Sequence, residues 1–344
     1  MSRLKRSNER EFIKIMIKEQ ISKRQILVTG AAGFIGWKTS EILLKKKKEV
    51  IGIDNLNDYY DVRLKKHRLN QLKKFPKFKF YKMDIEDFSS LRELFKKHEF
   101  SAIINLAARA GVRYSLDNPF VYISTNVNGT LNLLELCHQH KIKKFILAST
   151  SSLYAGQRMP FKEELAVNTP ISPYAASKKA AEVLCYTFHY LYGIDITILR
   201  YFTVYGPAGR PDMSIFRFIK WIDEGKSVLV YGDGTQSRDF TYIEDIAKGT
   251  IKALKGAGFK IINLGGNKPY KLNYAIKIIE KYLGKKAKIK NLPFPKVDLK
   301  ATWADITMAR RTIGWYPNVK FEEGLKNTVE WYKKNKEWLK RIKV

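Results

Sequence analysis

Cysteine is scarce in this 344-residue sequence, which has only Cys137 and Cys185, each within an apolar helical pattern. Two cysteines in that setting argue against a disulfide framework and favour buried free thiols in a reducing compartment. The five histidines show no ligand spacing beside cysteines or carboxylates. We therefore expect a cytoplasmic protein without a metal site.

Long hydrophobic runs are also missing. No uninterrupted apolar stretch approaches the roughly 20 residues that a membrane span requires, so no span is expected. Residues 1–24 carry scattered charges and no small-residue cleavage site, which favours a basic, helical extension over a signal peptide. The chain also shows no internal repeat.

Acidic residues are few beside basic ones, with 33 Asp and Glu against 64 Lys and Arg and a net charge of +31. Such a field attracts nucleic acid, anionic lipid or acidic metabolites. The lysines are spread along the whole chain, however, and pairs such as Lys65-Lys66 are typical of solvated faces. Because no nucleic-acid reader motif is present, we expect no nucleic-acid partner.

Strand-like runs alternate with helical patterns in the first 200 residues. The predicted strands are 25–29, 49–53, 78–83, 102–105, 144–148 and 195–201, and the predicted helices include a segment through Leu44 and 90–97, 122–140 and 174–192. This alternation predicts an α/β fold with a doubly wound, Rossmann-like parallel sheet. After Gly206 the alternation weakens, which predicts a smaller mixed α/β lobe.

A glycine-rich turn, Gly30-Ala31-Ala32-Gly33-Phe34-Ile35-Gly36, lies between the first predicted strand and helix. Glycines there permit a tight turn and let the backbone approach a pyrophosphate, which rests on the helix N-terminus. Asp54 follows the second strand, where a carboxylate accepts hydrogen bonds from the adenine ribose and repels a 2′-phosphate. We therefore expect NAD rather than NADP, with a capping or turn role as the alternative for Asp54.

Later loops complete the expected cofactor site. Asp84 follows the third strand and Leu106-Ala107-Ala108 the fourth, where loops of this fold meet the adenine and the ribose, although turn formation and close packing are the alternatives. The expected NAD-binding residues are Gly30, Gly33, Phe34, Ile35, Gly36, Asp54, Asp84, Ile85, Leu106, Ala107, Ala108, Tyr174, Lys178 and Tyr201.

These signals divide the chain into three parts. We expect the basic extension over 1–24, an NAD-binding domain over 25–205 and a substrate-binding lobe over 206–344. A segment near 237–265 is expected to return to the main sheet, through a strand at 260–264.

Tyr174 and Lys178 begin the last helix of the first half and, at i and i+4, share one helix face. A free phenol has a pKa of about 10 and is a poor base at neutral pH. A neighbouring ammonium and a positive nicotinamide favour the phenolate, which makes a general base for a sugar hydroxyl. Thr150 follows the fifth strand, at the sheet edge where open α/β folds bind ligands.

The sequence from residue 25 to about 335 resembles the extended short-chain dehydrogenase/reductases, and among them it is most similar to UDP-glucuronate 4-epimerases. The matching stretches are GIDNLNDYYDVRLKKHRL (52–69), NLAARAGVRYSLDNP (105–119), SPYAASKKAAE (172–182), RYFTVYGPAGRPDM (200–213), SRDFTYIEDIAKG (237–249) and, more weakly, VDLKATWAD (297–305).

The resemblance implies roles for the catalytic residues. Tyr174 is implied as the base, Lys178 as the residue that holds cofactor and phenolate, and Thr150 as the one that orients the reacting hydroxyl. The implied reaction oxidises carbon 4 of a UDP-sugar to a ketone, turns the ketone over in the pocket and reduces its other face. Since the cycle regenerates NAD, the cofactor is expected to stay bound.

The resemblance also implies a substrate site. Arg238 resembles the family's diphosphate-binding arginine, Asp298 is expected at the uridine ribose, and Arg113, Thr203 and Arg210 are candidates for the sugar and its carboxylate, together with Thr150. Surface ion pairs and loop caps are the alternatives for the charged residues.

Residues 151 and 152 separate this chain from related enzymes. Sugar dehydratases that resemble this fold carry Asp-Glu directly after the threonine, and decarboxylating relatives carry Glu two places after it. Here those places hold Ser151 and Ser152, which cannot act as carboxyl acids or bases. Epimerisation is therefore favoured over elimination.

Two other functions stay open. One is 4-epimerisation of neutral UDP-hexoses such as UDP-glucose and UDP-galactose, and the other is a non-catalytic NAD- or nucleic-acid-binding protein, which would need no Tyr174, Lys178 or Thr150. A homodimer is expected because the helices at 127–136 and 180–190 are apolar on more than one face. In the resembling family these helices pair as a four-helix bundle.

Overall fold

The computed structural model describes residues 25–344, so the predicted extension over 1–24 lies outside the described residues. Its strands are β1 (Gln25–Thr29), β2 (Val50–Asp54), β3 (Phe78–Lys82), β4 (Phe100–Asn105), β5 (Lys144–Thr150), β6 (Asp195–Tyr201), β7 (Thr203–Tyr205), β8 (Ser227–Tyr231), β9 (Ser237–Tyr242), β10 (Phe259–Leu264), β11 (Pro269–Lys271) and β12 (Lys288–Leu292).

Helices connect the strands. They are α1 (Phe34–Lys45), α2 (Val62–Leu72), α3 (Phe88–Lys97), α4 (Tyr114–Asp117), α5 (Phe120–Tyr122), α6 (Gly129–Gln139), α7 (Pro173–Tyr192), α8 (Ser214–Asp223), α9 (Ile243–Lys252), α10 (Leu272–Leu283), α11 (Thr307–Ile313), α12 (Phe321–Lys334) and α13 (Lys336–Leu339), with a π-helical turn at Ile123–Asn128 and a 3-10 turn at Ser151–Tyr154. Among residues 25–344, no helix combines the length and apolar character needed to cross a bilayer.

Seven parallel strands form the main sheet in the order β10-β6-β5-β4-β1-β2-β3. Helices cover both faces, so successive residues of one strand enter different apolar layers. On β1, Ile26 and Val28 belong to one buried cluster and Leu27 to the other. Burial on both faces explains why these strands read as continuous apolar runs, and the predicted doubly wound fold is confirmed.

The chain reverses its direction of winding between β1 and β4, which are neighbours in the sheet. At such a switch point the loops after the strands separate and leave a crevice at their carboxyl ends. Gly30, Leu106 and Thr150 lie at that edge, after or at the ends of β1, β4 and β5. One end of the sheet therefore gathers the residues that the sequence marks as functional.

Two smaller sheets lie beside helices in the remainder of the chain. Strands β11, β9 and β7 make a three-stranded sheet, and β12 pairs with β8. Strand β10 returns to the main sheet beside β6, as the run at 260–264 predicts. The division of the chain into domains at residue 205 stays a prediction.

Two helical segments differ from the prediction. The expected helix over 122–140 is divided, because the π-helical turn Ile123–Asn128 precedes α6. In that turn Asn126 accepts a hydrogen bond from the Arg109 backbone N–H at 2.9 Å and donates to the Arg109 carbonyl at 3.0 Å. The irregular turn brings this amide to the loop after β4. Helix α2 was not predicted, and its buried face combines leucines with the charged residues Lys65 and Arg68.

Candidate active site

The glycines of the turn after β1 are required by close packing. Gly30 has φ 64°, and a Cβ there would lie 2.9 Å from the Ala107 nitrogen. A Cβ on Gly36 would overlap the Gly30 carbonyl oxygen. The turn leads into α1, whose first residue follows Gly33 without any side-chain cap. The exposed backbone N–H groups of this helix start suit the pyrophosphate of a dinucleotide.

Asp54 is buried at the end of β2, inside the strand rather than after it. Its Oδ2 accepts from the Ala32 backbone N–H at 3.2 Å, and its Oδ1 accepts from that of Leu56 at 2.8 Å. The carboxylate thus supports the glycine turn, and it also lines the cleft. The turn role and the ribose-binding role are compatible, because each oxygen has two lone pairs.

Lys65 corrects the interpretation of Lys65-Lys66 as a solvated pair. The Lys65 side chain is buried, with its Nζ 3.8 Å from Asp54 and donating to Asn57 Oδ1 at 3.1 Å. Burial lowers the pKa of Lys65, although the Asp54 charge opposes that shift. The lysine faces the cleft because α2 packs against α1 and turns this side of the helix inward.

One cavity of about 660 Å³ runs along the carboxyl ends of the strands and into the second lobe. All predicted site residues line it, from Gly30, Gly33, Phe34, Ile35, Gly36, Asp54, Asp84, Ile85, Leu106, Ala107 and Ala108 through Arg113, Thr150, Tyr174, Lys178, Tyr201 and Thr203 to Arg210, Arg238 and Asp298. The fold therefore brings together residues up to 268 positions apart, from Gly30 to Asp298.

Tyr174 enters the cavity from the first turn of α7, which Ser172 caps by accepting from the Ala175 N–H at 3.2 Å. The phenol of Tyr174 lies near the hydroxyl of Thr150 at the end of β5, and that hydroxyl donates to Ser152 Oγ at 3.1 Å. One helical turn later, Lys178 Nζ donates to the Ala148 carbonyl at 2.9 Å. Tyrosine, threonine and lysine thus line the same cavity, as expected for residues that act in proton transfer.

The pKa values of Tyr174 and Lys178 differ from those expected from the sequence. Burial raises the pKa of Tyr174, and the nearby Thr150 hydroxyl and the Arg210 charge lower it by less. Burial also lowers the pKa of Lys178 to about 8, against the charge of Glu182. The expected lowering of the phenol's pKa by Lys178 is absent in the protein alone, because the ammonium is directed to a backbone carbonyl. Of the two positive charges expected to lower the pKa of Tyr174, only that of a bound nicotinamide is left.

Arg210 lies on the substrate side of the same cavity. Its Nε donates to Asp212 Oδ1 at 3.0 Å and its Nη2 to Oδ2 at 2.6 Å. Its guanidinium carbon is 5.6 and 5.8 Å from the ring centroids of Tyr59 and Tyr60. Burial disfavours the charged form, but the Asp212 carboxylate outweighs it and raises the pKa of Arg210.

Two further arginines of the cavity, Arg113 and Arg238, interact with the carboxylate of Asp298. Arg113 forms an ion pair with Asp298, and its guanidinium lies 3.7 Å from the ring centroid of Tyr231. Burial lowers the pKa of Arg238, while Asp298 raises it and Arg113 lowers it further. The two cations form a suitable site for a diphosphate.

Several cavity residues escaped sequence reasoning. They are Tyr59, Tyr60, Lys65, Arg109, Asp212, Arg217, Tyr231 and Gln236. Five of them stand inside stretches that carried the family resemblance, so that resemblance was the available signal for Tyr59, Tyr60, Lys65, Arg109 and Asp212. Within residues 25–344, no group of three or more His, Cys, Asp or Glu side chains is placed to hold a metal.

Known proteins match almost the whole described chain. The sequence model of the family described as GDP-mannose 4,6 dehydratase matches residues 27–328. A UDP-glucuronate 4-epimerase of Thermodesulfobacterium geofontis is 61% identical over 319 residues, covering 92% of this chain and 99% of that protein. The resemblance to UDP-glucuronate 4-epimerases is thereby confirmed.

Solved structures agree with this match. The UDP-glucuronic acid 4-epimerase of Bacillus cereus in complex with UDP-glucuronic acid and NAD superposes with a TM-score of 0.86 at 38% identity, covering 90% of this chain and 99% of that one. A UDP-glucose 4-epimerase of Thermotoga maritima with UDP-glucose gives 0.84 at 32% identity over 90% of this chain and 99% of that one.

Proposed function

We propose that this chain, which belongs to the family described as GDP-mannose 4,6 dehydratase, is an NAD-dependent UDP-glucuronate 4-epimerase that forms UDP-galacturonate. The observation that carries the proposal is one cavity in which Tyr174, Thr150 and Lys178 meet a paired arginine, Arg210. The first three suit oxidation and reduction at a sugar hydroxyl, and the fourth suits a carboxylate.

The cofactor portion of the cavity fits NAD. Gly30, Gly33 and Gly36 bring the backbone and the start of α1 to the pyrophosphate position, and Asp54 presents a carboxylate at the ribose position. Asp84, Leu106 and their neighbours form the walls around the adenine and the second ribose. When bound, NAD supplies the hydride acceptor at carbon 4 and later the hydride donor.

The proton at the carbon 4 hydroxyl is assigned to Tyr174. As the base, it takes this proton during oxidation and returns it during reduction, while Thr150, whose hydroxyl lies near the phenol, orients the reacting hydroxyl. Lys178, whose Nζ donates to the Ala148 carbonyl in the protein alone, would hold the cofactor ribose. A nicotinamide charge beside the phenol would favour the phenolate further, against the burial that raises the pKa of Tyr174.

Elimination is disfavoured although the family is described as a dehydratase. Expelling water from a sugar needs a second acid and base beside the reacting carbons. Thr150 is followed by Ser151 and Ser152, which line the cavity and carry no carboxyl group. The residues at this position support epimerisation.

Uronate selectivity is assigned to Arg210 and Thr203. Arg210 stands close enough to Tyr174 for its charge to lower the pKa of the phenol, so a carboxylate bound to it would lie beside the reacting ring. Thr203, on β7, adds a hydroxyl in the same cavity. Arg113, Arg238 and Asp298 are proposed to bind the diphosphate and the uridine ribose.

Neutral UDP-hexose epimerisation is the second candidate, supported by the similarity to the Thermotoga maritima UDP-glucose 4-epimerase. The two candidates are separated by incubating the purified protein with UDP-glucuronate and with UDP-glucose and separating the products by chromatography. We expect UDP-galacturonate from the first substrate and little UDP-galactose from the second. Turnover of UDP-glucose alone would reverse the assignment.

We further propose a homodimer and a cytoplasmic location. On α7, Val183, Tyr186 and Tyr190 are exposed, while Cys185 and Phe188 of the same helix are buried, so this helix is apolar on two faces. Phe120 and Ile123, before α6, add exposed apolar area. A patch of this kind is typical of a protein interface. The buried free thiols Cys137 and Cys185 suit a reducing compartment.

A further inference from the structure

Arg68, on α2, is a fully buried cation that contacts the loop before Arg210. Its Nε and Nη2 donate to the Ala208 carbonyl oxygen at 3.0 and 2.7 Å, and its Nη2 also donates to the Gly209 carbonyl at 3.1 Å. Both lone pairs of one carbonyl are thus directed at one guanidinium. The backbone immediately before Arg210 is therefore held in place by the side chain of Arg68.

The other edge of the guanidinium contacts the cofactor side of the cavity. Its Nη1 donates to the Ala32 carbonyl at 3.2 Å and to the Tyr60 hydroxyl at 2.7 Å. Ala32 belongs to the glycine-rich turn, and its N–H is held by Asp54. Arg68 therefore joins the turn proposed for the cofactor to the loop proposed for the substrate.

The partners of Arg68 are chemically unusual. The five hydrogen bonds that its guanidinium donates within the described residues all end on uncharged oxygens. Burying a charge without an opposite charge costs free energy that an apolar side chain of similar size would avoid. What only arginine offers is a rigid, planar set of five donors, which matches acceptors from separate segments at once. The arrangement favours a geometric role over a contribution to packing.

Ala208 is the residue that needs such support. Its φ of 55° lies in the left-handed region, which is disfavoured for a residue with a Cβ. Two of the five hydrogen bonds from Arg68 end on the carbonyl of this strained residue. Arg210 follows two positions later, so the conformation at Ala208 decides where the Arg210 side chain starts.

We propose that Arg68 is a positioning residue for uronate recognition, which holds the strained backbone at Ala208 so that Arg210 is presented to the substrate carboxylate. The inference rests on the proposed function, in which Arg210 binds that carboxylate. Arg68 itself touches neither substrate nor cofactor. Its loss is expected to impair the recognition of the carboxylate while leaving the recognition of the nucleotide intact.

The test compares two ligands in variants that cannot turn over. In the Tyr174→Phe background, the affinities for UDP-glucuronate and for UDP are measured by calorimetry with and without Arg68→Lys. Lysine keeps the charge but cannot bond Ala208, Gly209 and Ala32 together. We expect the UDP-glucuronate affinity to fall roughly tenfold to a hundredfold, as for the loss of a hydrogen bond to a charged group, with UDP affinity nearly unchanged.

A double-mutant cycle shows whether Arg68 acts through Arg210. When Arg210→Ala is already present, Arg68→Lys should lower the UDP-glucuronate affinity by less than about threefold, because the group that it positions is gone. Independent effects of the two substitutions, or an equal loss for UDP and UDP-glucuronate, would overturn the inference. If wild-type protein fails to turn over UDP-glucuronate, the proposed function fails instead, so the two failures are distinguishable.

Lys220→Met is the matched control for loss of a buried cation. Lys220 is 3% exposed and lies outside the cavity, where it donates to the carbonyls of Leu339 and Lys340 at 2.9 and 3.1 Å and, unlike Arg68, also pairs with a carboxylate, that of Glu224. Its replacement should change both affinities by the same small factor.

Arg68→Gln is the second variant, since removing a cation that has no carboxylate partner leaves no anion unpaired. It should reproduce the selective loss, and equal losses for both ligands would again contradict the inference.

Discussion

Arg210 and Asp212 form two parallel hydrogen bonds, Nε to Oδ1 at 3.0 Å and Nη2 to Oδ2 at 2.6 Å, inside the cavity that also contains Tyr174. Bidentate pairing of this kind fixes the plane of the guanidinium. A substrate carboxylate that reaches Arg210 therefore meets a cation that is already oriented. This relationship makes Arg210 the first residue to test.

Arg210→Ala should weaken UDP-glucuronate turnover far more than UDP binding. Removing one partner of a buried charge pair typically costs about 2–5 kcal/mol, so kcat/KM is expected to fall by roughly thirtyfold to several thousandfold. The 4-keto intermediate is a β-keto acid, and without a held carboxylate some of it should lose carbon dioxide. Chromatography should then detect a pentose product.

The exposed Arg311 supplies the control for this substitution. It lies outside the cavity, and Arg311→Ala should leave both turnover and product composition unchanged. Unchanged uronate kinetics in Arg210→Ala, with no pentose formed, would remove Arg210 from the substrate site and reopen the neutral-hexose alternative.

Tyr174→Phe should abolish turnover while NAD and UDP-sugar binding stay nearly intact, because only the proton-accepting oxygen is removed. Loss of such a group typically lowers the rate roughly a hundredfold to ten-thousandfold. Tyr122 offers a neighbouring control, since its ring packs edge-on against Tyr174 with centroids 6.0 Å apart. Tyr122→Phe should retain most of the rate. Near-normal turnover in Tyr174→Phe would refute the proposed mechanism.

Lys178 should give the nucleotide-free protein a pH-dependent stability. Burial lowers its pKa to about 8 in the folded protein, against 10.5 for the free group. Between these two pKa values, Lys178 is more protonated in the unfolded chain than in the folded protein. The contribution of Lys178 to the free energy of unfolding therefore rises with pH from about 8 to 10.5, by up to about 3 kcal/mol. In denaturant unfolding, the free energy of unfolding of the wild type should rise relative to that of Lys178→Met across this pH window. A constant difference would mean that the pKa of Lys178 is not shifted in the folded protein.

NAD should copurify with the protein. The glycine turn, the buried Asp54 and a reaction that regenerates its own cofactor all favour a tightly held dinucleotide. Denaturing the purified protein and separating the released nucleotides by chromatography tests this. Recovery of NADP alone would contradict both the assignment of the cofactor and the role of Asp54.

Much of the fold could be predicted from local sequence. Strands β1 and β6 have the bounds that their apolar runs indicate, and β10 returns to the sheet as expected. Strands β1 and β6 are buried on both faces, which leaves a strong local signal. Helix α2 leaves none, because its inward residues include Lys65 and Arg68, which carry charges into the interior.

The site was predictable where the chemistry is local and not where it is built by tertiary contacts. Gly30, Asp54 and Tyr174 stand at positions that strand and helix patterns identify. The pairing of Arg113 with Asp298 joins residues 185 positions apart, and no spacing rule indicates it. Likewise, Arg68 is recognisable as a functional candidate only once the fold places it beneath Ala208.

The proposed homodimer gives the last prediction. Tyr190 is 75% exposed and lies on the same face of α7 as Val183 and Tyr186. Phe120, at the start of the short helix α5, is 83% exposed. Glutamate at 190 would place a charge within that apolar face, and burying it in an interface without a partner is costly. Tyr190→Glu should therefore halve the mass measured by light scattering at micromolar concentration.

Tyr316 provides the matched control, because it is also an exposed tyrosine but follows α11 rather than belonging to α7. Tyr316→Glu should keep the dimer mass, since it adds the same charge to a different surface. The two variants separate an effect of charge at the α7 face from a general effect of glutamate on solubility or folding. A monomeric mass for the wild type, or a dimer that survives in Tyr190→Glu, would show that this face is not the interface.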